Sequence, residues 1–286
     1  MKSRGAKTTK TGPASFRVAQ RDLPTRLIDF LEKRLGISRN KCREHIDARR
    51  ILVNQKCVWM ARHPLSGGDR VTIVATPVAQ SASKLRYLYE DELFLVVDKP
   101  AGHLSNEDNS IEAQVRMVLD IPSLRAAHRL DRWTSGCLLM AKDGDAFDSA
   151  VSLFRRHLVD KRYHALVAGR VSTENQTITT PIDGKRAVTH VRALDRNRTA
   201  SHVSIKTDTG RTHQIRKHLS SINHPVLGDR HYLRSGTLDP RLLQVARQML
   251  HAGSLAFKHP ITKRQVRVTS PLPRDFRSCM KQFDLS

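Results

Sequence analysis

The chain has 286 residues, with 50 Lys plus Arg against 27 Asp plus Glu, a formal net charge of +23, and 39% hydrophobic residues. That length excludes a peptide-like scaffold and suits one large domain, or one large and one small, with enough apolar side chains for a substantial core. No window approaches the roughly 18 consecutive apolar residues of a membrane-spanning helix, and the start, MKSRGAKTTKTGPASF, lacks the apolar stretch of a signal peptide; the expectation is a cytoplasmic protein with no membrane partner.

The charge points to a polyanion, nucleic acid first, because Lys and Arg facing phosphates gain affinity by releasing condensed counterions. An anionic membrane surface would instead favour a basic amphipathic helix with bulky apolar residues on its other face, whereas the basic residues here run along the whole chain. Aromatics make up only 5%, which argues against a protein built mainly to stack successive bases. Cys42, Cys57, Cys137 and Cys279 lie far apart, with no CxxC pair and no HExxH. Free thiols and no metal or cofactor are expected.

Residues 1–21 carry Lys2, Arg4, Lys7, Lys10, Arg17 and Arg21 without one acidic residue before Asp22, and read as a disordered basic arm. TRLIDFLEKRLG then places Leu27, Phe30, Leu31 and Leu35 on one helical face and stops at Gly36. Ser38 can cap a second helix carrying Arg39, Lys41 and Arg43, candidate RNA-binding side chains; a solvated charged face is the plain alternative. ILV and CVW, joined by Asn54, Gln55 and Lys56, read as a hairpin, and LSGGDRVTIV as a turn entering a strand. Residues 22–76 resemble the RNA-binding domain first seen in the fourth protein of the small ribosomal subunit. Residues 77–84, polar with Pro and Ser, fit a linker.

From 85 to 286 come strand-like runs, LFLVVDKP, CLLMAK, YHALVAG and HVRAL. Between them Phe147, Ala150, Val151, Phe154 and Leu158 repeat at helical spacing behind Asp143 or Asp145, and Ile215, Leu219 and Ile222 behind Thr212. The expected fold class is α+β, a largely antiparallel mixed sheet with flanking helices, plus the small α/β domain.

The densest polar cluster is HRLDRWTSGCLLMAK, residues 128–142. Asp131 lies between Arg129 and Arg132 at the mouth of an apolar strand, where a carboxylate is held rigidly enough to act as a nucleophile. Alternating charges in a loop are more often a surface ion-pair ladder. A second cluster, TGRTHQIRKHL at 209–219, has Arg211 next to a helix start at Thr212, a natural place to hold a phosphate or a partner carboxylate. Arg216, five residues on, points elsewhere, towards phosphate.

HRLDRWTSGCLLMAK is similar to the signature of the RluA family of pseudouridine synthases, and DKPAG, KRYHALVAGRV, TGRTHQIRKHL, HPVLGDRHY and LHAGSLAFKHPIT to PLPRDF follow the family's order over about residues 85–276. The resemblance implies isomerisation of an RNA uridine to pseudouridine without cofactor or metal. It implies that Asp131 is the catalytic aspartate, Tyr163 the ring stacked on the base, Arg211 the arginine paired with the aspartate, and Arg129 the side chain filling the gap left by the extruded nucleotide. Two departures stand out: HLSNEDNS after DKPAG, where the family has apolar residues and His-Pro, and HPITKRQ in place of a Thr-Gly turn. The expected partner is RNA, large-subunit ribosomal RNA first and transfer RNA second, bound by a monomer. The rivals are a non-catalytic RNA-binding or ribosome-assembly protein and an RNA N-glycosidase, which needs a second carboxylate.

Overall fold

The structure, a computed structural model, describes residues 14–47, 50–58, 61–73, 85–107, 110–172, 174–233 and 239–286. The chain divides into two compact units, Met1–Ser83 and Lys84–Ser286. The expected linker at 77–84 lies outside the described residues.

In the first unit the Leu27–Leu35 helix ends on Gly36 at φ 62°, the left-handed conformation that glycine adopts without a Cβ penalty. The next helix, Arg39–Asp47, begins behind Ser38, whose Oγ accepts the Lys41 N–H at 3.4 Å. Leu27, Phe30 and Leu31 share one core with Cys42, Ile46, Ile51, Val53 and Val71. Asn54 and Gln55, at φ 49° and 66°, form the two-residue turn between Ile51–Val53 and Lys56–Cys57, a left-handed pair whose twist matches the strands it joins. The expectation of a disordered arm over 1–21 is corrected for its last part. Ala14–Arg17 is an edge strand paired antiparallel with Arg70–Ile73, and Val18 behind it is 1% exposed. Two apolar side chains, Phe16 and Val18, suffice to dock a short edge strand amid basic residues. Residues 1–13 lie outside the described residues.

The second unit is built on a ten-stranded sheet. Its main path runs Asn175–Ile178, Thr189–Arg196, Ala200–Thr207, Asp160–Ala168, Leu250–Lys258, Ser135–Ala141, Phe94–Lys99, Tyr87–Glu90. Every neighbour on that path is antiparallel except Leu250–Lys258 beside Ser135–Ala141, which is parallel at Ser135↔His251 and Gly136↔Ala252. Gly136 sits at φ 111°, and a Cβ there would lie 2.2 Å from the Ala252 carbonyl oxygen; the two strands close because position 136 has no side chain. Gly136→Ala should therefore lower stability by about 3 kcal/mol or more, seen as a fall in the urea midpoint.

Alternation along the Phe94–Lys99 strand divides the core. Phe94 and Val96 join Ala146 and Ala150 of the Gly144–Arg155 helix on one face, and Leu95 and Val97 join Ile111 and Val115 of the Ile111–Leu119 helix on the other. Asp143 is the cap of the Gly144–Arg155 helix, accepting the Ala146 N–H at 2.8 Å. Cys42, Cys137 and Cys279 are buried free thiols. Among the described residues no helix is long and apolar enough to cross a membrane.

Candidate active site

Asp131 stands in the loop that enters the Ser135–Ala141 strand, and side chains on both sides of it pin the loop. The Leu130 N–H donates to Ser105 Oγ at 2.8 Å, and that hydroxyl donates to the Leu130 carbonyl at 3.0 Å. Lys99, 0% exposed, donates from Nζ to the carbonyls of His103, Arg132 and Pro100 at 2.7, 3.1 and 3.2 Å. Arg247 donates to the Trp133 carbonyl at 3.2 Å, and Gln248 Nε2 to Thr134 Oγ1 at 2.7 Å. A carboxylate carried on so constrained a loop needs little reorganisation to act. Burial, followed by the positive charge of Arg247, pushes the Lys99 ammonium down to about 7, against the pull of Asp131.

The side chain that meets Asp131 is Arg216. Its NH1 donates to Asp131 Oδ2 at 2.9 Å, while its Nε and NH2 hold Asp229 in a two-pronged pair at 2.5 and 3.0 Å. Asp229 is 1% exposed and also accepts the backbone N–H groups of His231 and Tyr232 at 3.0 and 3.3 Å. The guanidinium lies 5.0 Å from the centre of the Tyr232 ring. Burial alone would lower the Arg216 pKa, but its bonds to Asp229 and Asp131 raise it above the ordinary arginine value.

The assignment of Arg211 as the partner of Asp131 is thus corrected, and so is the outward direction given to Arg216. The helix starts not at Thr212 but at Gln214, behind His213 at φ 56°. Gln214 folds its side chain back to accept the Arg211 N–H at 3.0 Å and the Thr209 hydroxyl at 2.7 Å. Arg211 is left outside the helix, exposed, with Nε on the Arg186 carbonyl at 3.1 Å. Arg216 falls in the first turn on the buried face, beside Ile215 and Leu219. His213 reaches the same site, its Nε2 3.9 Å from Asp131 Oδ2 and its Nδ1 3.1 Å from the Tyr232 hydroxyl.

Tyr163 lies in the Asp160–Ala168 strand opposite Ile205, half-buried and packed between the two core clusters that flank the site. Burial and then the nearby charge of Asp131 push its phenol well above the usual tyrosine range, so it keeps its proton at neutral pH. Arg129 and Arg132 flank Asp131 and are exposed. In the first unit Lys41 and Arg43 are exposed, whereas Arg39 turns back onto the preceding helix, 2.6 Å from Asp29 and 3.5 Å from Glu32; exposed pairs of this kind contribute little to stability. Sequence reasoning missed Asp229, His213 and Lys99, although HPVLGDRHY, GRTHQIR and DKPAG had marked their segments.

The His128 of HRLD is structural. Its Nε2 accepts the Leu139 N–H at 3.1 Å, and burial pushes its pKa down to about 3, while burial and the neighbouring His202 push His164 down to about 4. Both are neutral in the folded protein and take up protons near pH 6.5 when unfolded, so unfolding binds protons in between. This contribution is complete above pH 6.5 and is lost as pH falls towards 4 and then 3, by up to about 1.4 kcal/mol per pH unit per histidine. The urea midpoint should drop measurably from pH 7 to pH 5; an unchanged midpoint would contradict the assignment.

A family model described as RNA pseudouridylate synthase matches residues 93–221, and one described as S4 domain matches residues 25–71. The chain is 37% identical over 224 residues to the ribosomal large subunit pseudouridine synthase D of Pseudomonas aeruginosa, covering 68% of this chain and 70% of that one. It is 32% identical over 279 residues to an uncharacterised RNA pseudouridine synthase, YlyB, of Bacillus subtilis, covering 86% and 89%. The chain belongs to the RNA pseudouridine synthase family. The family's reaction is isomerisation of uridine in RNA, and the second unit has its fold. Human RNA pseudouridylate synthase domain containing 1 superposes with a TM-score of 0.57 at 31% identity, over 67% of this chain and 84% of that one. Human RNA pseudouridylate synthase domain containing 4 shares the fold at a TM-score of 0.61 and 23% identity, over 73% and 96%. In this pseudouridine synthase the Asp131 loop is the candidate site, with Arg216 in contact with its carboxylate.

Proposed function

We propose that this chain isomerises uridines of large-subunit ribosomal RNA, with Asp131 as the reacting carboxylate. The carrying observation is the 2.9 Å contact between Asp131 and an arginine already shared with a fully buried second aspartate. Arg216 and Asp229 balance each other's charge, so the guanidinium orients Asp131 through one N–H while the carboxylate keeps its negative charge for the ribose or the base. A uridine in a helix is out of reach and must be swung out, at a cost of a few kcal/mol; Tyr163 stacks on the displaced base and Arg129 fills the gap. The glycosidic N1 bond breaks and a bond from the same sugar carbon to C5 forms, while the C5 proton is lost and N1 gains one. Atoms and electrons balance within the nucleotide. Burial and then the nearby Asp131 raise the Tyr163 phenol above the usual tyrosine range, which suits a stacking ring.

The ribosomal target rests on the large-subunit synthase names of the relatives. The +23 charge and the S4 match suit a large structured RNA, engaged in the cytoplasm by a monomer. RNA affinity should fall with salt at a logarithmic slope of about −0.7 per single-strand phosphate contact. Mapping pseudouridine in total RNA from cells with and without the protein tests the target: losses confined to large-subunit ribosomal RNA are expected, and losses confined to transfer RNA would overturn it.

A further inference from the structure

His213 occupies a position that its helix does not explain. It is the residue before the Gln214–Ser221 helix, yet its side chain makes no capping bond and its backbone sits at φ 56°, a left-handed conformation that strains a non-glycine residue. The side chain turns instead to the Asp131 loop. Its Nδ1 is 3.1 Å from the Tyr232 hydroxyl, its ring is stacked 6.2 Å from that of His231, and its Nε2 is 3.9 Å from Asp131 Oδ2 with no hydrogen bond of its own among the described residues. The side chains of His213 and Asp131 are 30% and 24% exposed, so neither is sealed in and both can meet a substrate. Two nearby cations are already committed, Arg216 to Asp131 and Asp229 and Lys99 to three backbone carbonyls.

One tautomer suits this setting. The Asp131 charge favours a proton on Nε2, the nitrogen facing it, and leaves the Nδ1 lone pair to accept from the Tyr232 hydroxyl. Burial, with Arg216 and His231 adding to it and the Asp131 and Asp229 carboxylates opposing, holds His213 below the ordinary histidine value, so at neutral pH the ring is an uncharged donor. When the bond from N1 to the sugar breaks, its electron pair falls on the uracil and is shared by N1 and the ring carbonyls. O2 is the carbonyl next to N1, separated from the reacting sugar carbon only by N1 and C2, and so stays close to a carboxylate that serves that carbon. We propose that His213 is a further catalytic residue, whose Nε2–H donates to uracil O2 and stabilises the charge that gathers there as the base leaves; this rests on the Asp131 reading. The proton stays on Nε2 throughout. An uncharged donor also leaves Asp131 its negative charge, as a protonated imidazole 3.9 Å away would not.

The test contrasts His213→Asn with His213→Gln in single-turnover kinetics with enzyme in excess, RNA binding and urea unfolding. Gln places an amide N–H where Nε2–H stood, whereas Asn reaches only as far as Nδ1 but suits a left-handed N-cap better. A role in shaping the helix start would therefore favour Asn. The proposal demands the reverse: His213→Asn should lose about 10²-fold in rate, the lower end for one preorganised donor, with RNA affinity within about threefold, and His213→Gln should stay within about fivefold of wild type. The wild-type rate should also decline as pH falls and His213 takes up a proton, and the Gln variant should hold its rate to lower pH. Asn as active as Gln, or an acid limb unmoved in the Gln variant, would overturn the proposal. Should the Gln variant fail to fold, Tyr232→Phe, which frees the tautomer, must lower the rate about threefold or more, and an unchanged rate is equally fatal. Asp131→Asn run alongside keeps the two readings apart: turnover by that variant sinks the Asp131 reading, whereas its inactivity beside a fully active His213→Asn sinks only this one.

Discussion

Arg216→Gln should lower the single-turnover rate by about 10²- to 10³-fold, the range for removing one preorganised donor from a reacting group, whereas Arg211→Gln should cost less than about fivefold. The reason is the geometry of the first helical turn. Arg216 is 4% exposed and is bonded to both Asp131 and Asp229, while Arg211 is exposed with its side chain on a backbone carbonyl. Removing the guanidinium also leaves Asp229 buried without its partner, and breaking such a pair destabilises by about 3–5 kcal/mol. Arg216→Lys separates the two effects. It keeps the charge but cannot span both carboxylates with a planar fork, so it should retain more of the stability and still lose about tenfold or more in rate. Rates are read from pseudouridine formed with enzyme in excess, and stability from urea unfolding of the same samples. If Arg211→Gln proved the more damaging change, the site as described would be wrong.

The difference between those two arginines also marks where the amino-acid sequence stops being informative. The Asp131 cluster stood out as a local pattern, a carboxylate among arginines before an apolar strand, but its catalytic role came only from the family resemblance; the Leu27–Leu35 helix could be placed because its apolar spacing and Gly36 are local. Which arginine meets Asp131 depends on where one helix begins. That is decided by Gln214 folding back onto Thr209 and Arg211 and by the left-handed backbone at His213, neither of which periodicity reveals. Asp229 and Lys99 are charged residues that only the folded structure buries. Their motifs were visible, but the contacts that give them a task cross 13 and 33 positions of sequence. The Ala14–Arg17 strand escaped notice because an edge strand with one face on a core needs only alternate apolar residues, here Phe16 and Val18, and basic residues fill the rest.

Asp131→Asn carries the largest expected effect, a loss of about 10⁴-fold or more, because an amide of nearly the same shape cannot do a carboxylate's covalent or charge-stabilising work. The loop would stay in place, since Ser105, Lys99 and Arg247 hold its backbone rather than the Asp131 side chain, and RNA affinity should remain within about threefold. A defect in turnover with binding intact is the signature of an interaction made in the reaction rather than in the ground state. The decisive measurement is nucleoside analysis of target RNA after prolonged incubation with excess wild-type or Asp131→Asn protein. The wild type should yield pseudouridine without free uracil, and the variant neither. Pseudouridine formed by the variant within tenfold of the wild-type rate would show that another group carries the chemistry.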